Sequence, residues 1–218
     1  MAHQDLSRLR QECRGLLFYP EMQTVEPLLC AERFHMRRAA LLVIDVQEGF
    51  DDPSWGKRNN PDAESNIALL LSGWRKHELP IIHIRHCSVD PNSPLHPELP
   101  GNEFKKEAQP LPEEKQFSKS VNSAFIGTDL EKYLQEHDIS SLVIVGLTTD
   151  HCVSTSTRMA ANLGFNVTLV SDATATFDRE GYDGALYSAD DIHEINLVSL
   201  NGEFCIVRST EEVLKEIA

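Results

Sequence analysis

One stretch constrains the fold more than any other: residues 141–164, SLVIVGLTTDHCVSTSTRMAANLG. Residues 142–145 are apolar and β-favouring without polar alternation, a pattern typical of a parallel strand that is covered on both faces. We expect this strand to stop at Gly146, the TTD side chains to cap the following helix, and that helix to end at Gly164. This arrangement places Cys152 in the first turn of a helix.

A cysteine in that position has two interpretations. The positive end of the helix macrodipole and the unpaired N–H groups favour a thiolate over a thiol, and the same N–H groups can bind a developing oxyanion. Free cysteines are, however, more often small buried hydrophobic residues without chemistry. The position of Cys152 leaves both interpretations open, so the choice between them depends on the residues that accompany it.

The alternation of apolar runs with helical patterns predicts a doubly wound α/β fold, with a mostly parallel sheet and helices on both faces. Further strands are predicted over residues 39–44, 79–86, 166–171 and 204–207, and helices over residues 62–77, 128–136 and 192–200, with a terminal helix after Ser209. Residues 1–38 lack this pattern, so we expect an N-terminal arm, with a short helix over residues 6–16, ahead of one domain over residues 39–218. No GxGxxG or GxxxxGK[ST] motif supports nucleotide binding.

Composition argues against several classes of partner. The formal net charge of -14 argues against nucleic acid and against anionic membrane surfaces. No apolar run reaches membrane-spanning length and no signal peptide is visible, so neither a membrane partner nor export is expected. The five cysteines form no CxxC or zinc-type spacing, which indicates free thiols in a reducing, cytoplasmic compartment.

Two polar residues accompany Cys152 at predicted strand ends. Asp45 follows the apolar run AALLVI, at the carboxyl edge where α/β sheets bind ligands, although a cap of the following turn is an equal alternative. Lys119 lies among small and apolar residues in FSKSVNSAF, although most lysines are solvated surface charges. A carboxylate, a cation and a thiol together form a set that can activate a nucleophile.

The chain resembles the isochorismatase-like cysteine hydrolase superfamily over residues 39–208. Three segments carry the resemblance, namely LLVIDVQEGF, K followed by SAF, and VIVGLTTDHCV. The segments GKRNNP, SPLHPELPG and VNSAFIGT are similar to its streptothricin-hydrolase-like branch. The resemblance implies that Asp45 accepts a proton, that Lys119 is the catalytic lysine and that Cys152 is the nucleophile, which forms a thioester.

The resemblance also implies details around this triad. It implies a cis peptide bond between Leu147 and Thr148, which directs the N–H groups of Thr148 and Cys152 to one point as an oxyanion hole. The motifs adjacent to the triad supply candidate pocket residues. These are Phe50, Trp55, Arg58, Asn59, Asn122 and Phe125.

No metal or other cofactor is expected. The D-x-H segment of metal-dependent nicotinamidases is missing from HIRHCSVDP, and isochorismatases that cleave a vinyl ether lack the nucleophilic cysteine that this chain has. His83 and His86 lie three positions apart on a predicted strand, so their side chains point to opposite faces and do not converge on one ion. Arg85 and His86 lie at the carboxyl end of that strand and could reach the site, although a structural salt bridge is expected for Arg85.

These features predict a metal-independent amidohydrolase that cleaves a C–N bond of a small amide, lactam or ureide. Two alternatives remain: a catalytically silent family member that binds a small molecule or a protein, and a protein whose Cys152 is a peroxide-sensitive thiol. The superfamily resemblance also implies a homo-oligomer.

Overall fold

The computed structural model describes residues 39–218, so the predicted arm over residues 1–38 and its helix lie outside the described residues. The strands are β1 (Ala40–Ile44), β2 (Ile81–His86), β3 (Lys115–Lys119), β4 (Ser141–Leu147), β5 (Asn166–Ala175), β6 (Arg179–Glu180), β7 (Leu186–Tyr187) and β8 (Ile206–Arg208). The helices are α1 (Ala63–Lys76), α2 (Leu130–Glu136), α3 (Ser154–Asn162), α4 (Ala189–Leu200) and α5 (Thr210–Ile217).

Six parallel strands form the central sheet in the order β3-β2-β1-β4-β5-β8. Helix α1 packs with α5, and α3 packs with α4, so helices flank the sheet. The predicted doubly wound α/β fold is confirmed. In such a sheet the carboxyl ends of all strands meet at one edge, which is where a ligand site is expected.

The central strands β1 and β4 are buried along their whole length, as their unbroken apolar runs predict. Helix α1 covers them with a stripe of apolar side chains that includes Trp74, whose indole N–H donates a hydrogen bond to the carbonyl of Ala39 at 2.9 Å. Each large apolar side chain buried in this way stabilises the fold by about 1.5–3 kcal/mol.

Strand β4 continues through Gly146 to Leu147, so the prediction that it stops at Gly146 is wrong. Gly146 pairs with Ile44 on one side and with Thr174 on the other, after an irregularity in the β4–β5 register. Its φ is +123°, and a Cβ there would lie 2.0 Å from the carbonyl oxygen of Ile44. The glycine serves a close approach between β1 and β4 rather than a strand end.

One further prediction concerns the C-terminal third. Ser209 and Glu212 form the predicted capping box of the terminal helix. The short antiparallel hairpin β6–β7 is a feature that the sequence did not indicate, because each strand has two half-buried or exposed residues and offers no apolar run. Within residues 39–218, no helix is both long and apolar enough to cross a membrane.

Candidate active site

Three side chains from separate parts of the chain meet at the carboxyl edge of the sheet. Asp45 follows β1, Lys119 ends β3, and Cys152 follows β4. Lys119 Nζ lies 2.6 Å from Asp45 Oδ2 and 3.2 Å from Cys152 Sγ. The side chains of Asp45 and Lys119 have no exposed surface, so Lys119 is not the solvated charge of the alternative interpretation.

Asp45 turns the chain away from β1 in a left-handed conformation, with φ +53°. Its carboxylate contacts Lys119 through Oδ2, while Oδ1 is buried without a hydrogen-bond partner among residues 39–218. Burial raises the pKa of Asp45, and the charge and hydrogen bond of Lys119 oppose that rise. A buried carboxylate with a raised pKa and one unpaired oxygen is suited to accept a proton.

Cys152 lies in a π-helical turn, Thr149–Val153, that continues directly into α3. The peptide bond between Leu147 and Thr148, just before this turn, is cis. Helix α3 ends at Asn162, and Gly164 with φ +90° follows it, as predicted.

The side chains ahead of Cys152 do not cap the helix, so that part of the prediction is wrong. The Thr148 side chain makes no cap hydrogen bond. Thr149 Oγ1 lies 2.8 Å from Nδ1 of His193 in α4. The carboxylate of Asp150 accepts hydrogen bonds from Thr176 Oγ1 at 2.5 Å and from Arg179 Nε at 2.9 Å. These side chains tie the turn to the elements beside it instead.

The pKa of Cys152 lies above the usual range for a cysteine, which favours the thiol of the two forms that its position left open. Burial raises its pKa, the charge of Asp45 raises it further, and Lys119 opposes both. The residue is only 7% exposed, and this loss of water is the largest cause of the rise in its pKa. A nucleophile in this state needs a base within reach, and Asp45 lies within 4.8 Å of it.

His86, the last residue of β2, joins the cluster. Its Nδ1 lies 3.0 Å from Lys119 Nζ. Burial, and then the charge of Lys119, lower the pKa of His86 to about 4, so the ring is neutral near pH 7. His83 points the other way and lies 2.8 Å from Glu114, which confirms that the two histidines diverge.

Asp45, His86 and Cys152 are also a set of potential metal ligands, with ligand atoms within 4.8 Å of one another. Lys119 Nζ is hydrogen-bonded to all three side chains. A divalent cation among these atoms would meet a like charge in a buried site, so it would have to displace the lysine.

The aromatic pocket candidates form a small cluster beside this edge. The ring of Phe50 packs on Trp55 at 5.2 Å and on Phe177 at 6.2 Å between centroids. Phe177, which the sequence did not single out, joins Phe50 and Leu147 in one buried cluster. The aromatic side chains therefore support the strand end from which the Cys152 turn begins.

The other pocket candidates lie in different surroundings. Asn122 is exposed, with Oδ1 3.8 Å from Cys152 Sγ. Phe125 packs in the main core against Phe165, so its role in a pocket stays a prediction. Arg58 pairs with Glu64, Asn59 accepts a hydrogen bond from the Thr176 N–H, and Arg85 forms a long ion pair with Glu103.

This parallel sheet and this cluster of Asp, Lys and Cys are typical of cysteine hydrolases, and comparison with known proteins gives the family. The isochorismatase domain matches residues 39–212, and the chain belongs to the isochorismatase family. It is 45% identical to the isochorismatase family protein YrdC of Bacillus subtilis, over 82% of this chain and 96% of that protein.

Other relatives carry names that bear on chemistry. A streptothricin hydrolase from Streptomyces noursei is 31% identical over 64% of this chain and 55% of its own length. A crystal structure of an isochorismatase-family protein from Chromobacterium violaceum matches with TM-score 0.81 and 46% identity, over 83% of this chain and 94% of that chain. A cysteine hydrolase from Pseudomonas syringae matches with TM-score 0.76 and 26% identity, over 84% and 93%.

Proposed function

We propose that this chain is a cysteine hydrolase that cleaves the C–N bond of a small amide, lactam or ureide through a thioester on Cys152. The observation that carries the proposal is the position of Lys119 Nζ, 2.6 Å from Asp45 Oδ2 and 3.2 Å from Cys152 Sγ in one buried cluster. The relatives named streptothricin hydrolase and cysteine hydrolase support it.

The first half of the proposed reaction forms the thioester. Asp45 Oδ1 takes the thiol proton as Cys152 Sγ attacks the carbonyl carbon, and the ammonium of Lys119 stabilises the sulfur while it is negative. The N–H groups of Thr148 and Cys152 form the proposed oxyanion hole, where one donor is worth about 10²–10³ in rate. The C–N bond of the tetrahedral intermediate then breaks and the nitrogen takes the proton back from Asp45, so that it leaves as ammonia or an amine or, from a lactam, becomes the amino group of the opened ring.

The second half releases the acid. Asp45, again a carboxylate, takes a proton from a water molecule that attacks the thioester carbon. The C–S bond breaks, the carboxylic acid departs, and the proton returns from Asp45 to Cys152. The raised pKa of Asp45 suits the two steps in which it accepts a proton, because a carboxylate that binds a proton more firmly than usual is the better base.

Metal independence is part of the proposal. The ammonium of Lys119 occupies the position between Asp45, His86 and Cys152 that a metal ion would take. Its charge stabilises the thiolate of Cys152, so no divalent ion is needed for that purpose. We expect extensive dialysis against a chelator to leave turnover unchanged.

The test is turnover of a panel of primary amides, lactams and ureides, measured as ammonia or amine released or, for lactams, as the ring-opened amino acid. Cys152→Ala should abolish the release. Cys205→Ala is the matched control, because Cys205 is also a buried free thiol but has no contact with Lys119. Turnover that survives Cys152→Ala would contradict the proposal, while tight binding of a panel member without turnover would favour a binding protein.

Two further expectations belong to the proposal. Cys87, Cys152 and Cys205 are free thiols, which supports a reducing compartment such as the cytoplasm. The homo-oligomer stays a prediction, and a sedimentation mass of one chain would refute it.

A further inference from the structure

The ammonium of Lys119 has three N–H donors, and the structure gives it three acceptors. They are Asp45 Oδ2 at 2.6 Å, His86 Nδ1 at 3.0 Å and Cys152 Sγ at 3.2 Å. An ammonium with all three donors engaged is fixed in place without help from water. The proposed reaction assigns a role to Asp45 and to Cys152, but none to His86.

The contact defines the state of the His86 ring. An ammonium offers only donors, so Nδ1 must be the acceptor and the neutral ring carries its proton on Nε2. Protonation would turn Nδ1 into a donor and place two cations 3.0 Å apart. The low pKa of His86, about 4, agrees with that geometry.

The backbone of His86 is held by two buried amide side chains. Gln47 accepts from the His86 N–H at 2.8 Å and donates to the His86 carbonyl at 3.0 Å. Asn102 donates to the same carbonyl at 2.8 Å, and Gln47 also donates to the Asn102 carbonyl at 2.9 Å. Gln47 is fully buried and Asn102 is 3% exposed. A strand end held this firmly keeps the imidazole aimed at Lys119.

We infer that His86 is a positioning residue, a fourth member of the cluster that holds Lys119 Nζ against Cys152 throughout the reaction. The inference rests on the proposed function for the proton transfers. When Asp45 takes the thiol proton it loses its charge, and its attraction for Lys119 falls when the sulfur most needs the ammonium. The charge of His86 does not change in the cycle, so its Nδ1 remains a constant acceptor.

The test compares two substitutions. His86→Leu keeps a side chain of similar size but removes the hydrogen-bond acceptor Nδ1. In His86→Asn, the side-chain oxygen can accept a hydrogen bond near the position of Nδ1. The measurement is the rate of alkylation of Cys152 by iodoacetamide from about pH 6 to 11, with the alkylated cysteine identified by peptide mass. We expect His86→Leu to slow alkylation about tenfold at a given pH, equal to a rise of about one unit in the apparent pKa of the thiol. His86→Asn should restore most of the rate.

The control is His83→Leu, on the same strand but bonded to Glu114. It should lower the melting temperature and leave the alkylation profile unchanged. A wild-type profile in folded His86→Leu, or no rescue by His86→Asn, would overturn the inference. Alkylation needs no substrate, so this result is separate from the turnover test of Cys152→Ala.

Discussion

Lys119 Nζ and Asp45 Oδ2 form an ion pair of 2.6 Å between two side chains that have no exposed surface. Removing such charges from water costs several kcal/mol for each ion, and their attraction offsets that cost only while both are present. The pair is therefore a weak source of net stability, but each member depends strongly on the other. Its position beside a thiol gives it a chemical use.

The dependence within the pair can be measured. Lys119→Met should lower the free energy of unfolding by about 3–5 kcal/mol at pH 8, because it leaves the Asp45 carboxylate buried without a cation. The double variant Asp45→Asn/Lys119→Met should be more stable than the single variant, because it removes the stranded charge. Urea denaturation gives both values, and a double variant no more stable than Lys119→Met would contradict this account.

Gly146 holds the strand ends that bring Asp45 and Cys152 together. Gly146→Ala places a Cβ 2.0 Å from the Ile44 carbonyl oxygen, so we expect it to cost more than about 4 kcal/mol or to prevent folding. Gly127→Ala is the control, because Gly127 also has a positive φ, +73°, and apart from its chain neighbours no atom of residues 39–218 lies within 4 Å of the added Cβ. It should cost only about 1–2 kcal/mol for the left-handed backbone. Equal losses in urea denaturation would show that the close approach is unimportant.

Arg179 reaches from the β6–β7 hairpin to the turn that carries Cys152, with Nε 2.9 Å from Asp150 Oδ2. Arg179→Met should release one restraint on that turn and lower kcat by about ten- to a hundredfold, with a small change in KM. Arg75→Met is the matched control. Arg75 also pairs with a carboxylate, with its Nε 2.7 Å from Glu114 Oε1, but this ion pair does not involve the turn that carries Cys152. Steady-state kinetics with the best amide of the panel measure kcat and KM for both variants. Equal kcat values would contradict a role of Arg179 in holding the turn that carries Cys152.

The stability of the fold should depend on pH through His86. Its pKa falls from an ordinary 6.5 to about 4 in the folded chain, so between these values the unfolded chain binds more protons. The free energy of unfolding should therefore fall as the pH drops from about 6.5 to about 4. Burial also lowers the pKa of His83 and of His193, which act in the same direction.

His86→Asn isolates this contribution, because the other histidines are unchanged in it. Its free energy of unfolding should fall less over the same pH range than that of the wild type. Chemical denaturation at several pH values measures the difference, and parallel curves for the two proteins would refute a neutral His86 in the folded chain.

Local patterns predict the sheet and its ligand edge well. The unbroken apolar runs of β1 and β4 require burial on both faces, and a polar residue directly after such a run, as Asp45 is, must lie at the sheet edge. Spacing along the chain does not reveal that Lys119, 74 positions from Asp45, reaches the same point. That link came from the motif resemblance and is seen in the structure as a contact.

The protonation state of Cys152 could not be predicted from its position in the sequence. A helix N-terminus argues for a thiolate, but the balance depends on how much water the sulfur loses and on how close Asp45 lies. Both quantities are properties of the packed cluster. The same holds for His86. The alternation of side chains along β2 predicts the face of the sheet on which His86 lies, but not its contact with Lys119 Nζ.

In the proposed reaction the acyl group of the substrate is transferred from nitrogen to the sulfur of Cys152. The most direct test of this transfer is rapid acid quenching of a single turnover of an active amide, followed by peptide mass mapping of Cys87, Cys152 and Cys205. We predict a transient mass increase, equal to the acyl group, on the Cys152 peptide alone. An unmodified Cys152 peptide at every quench time, together with undiminished turnover in Cys152→Ala, would contradict it.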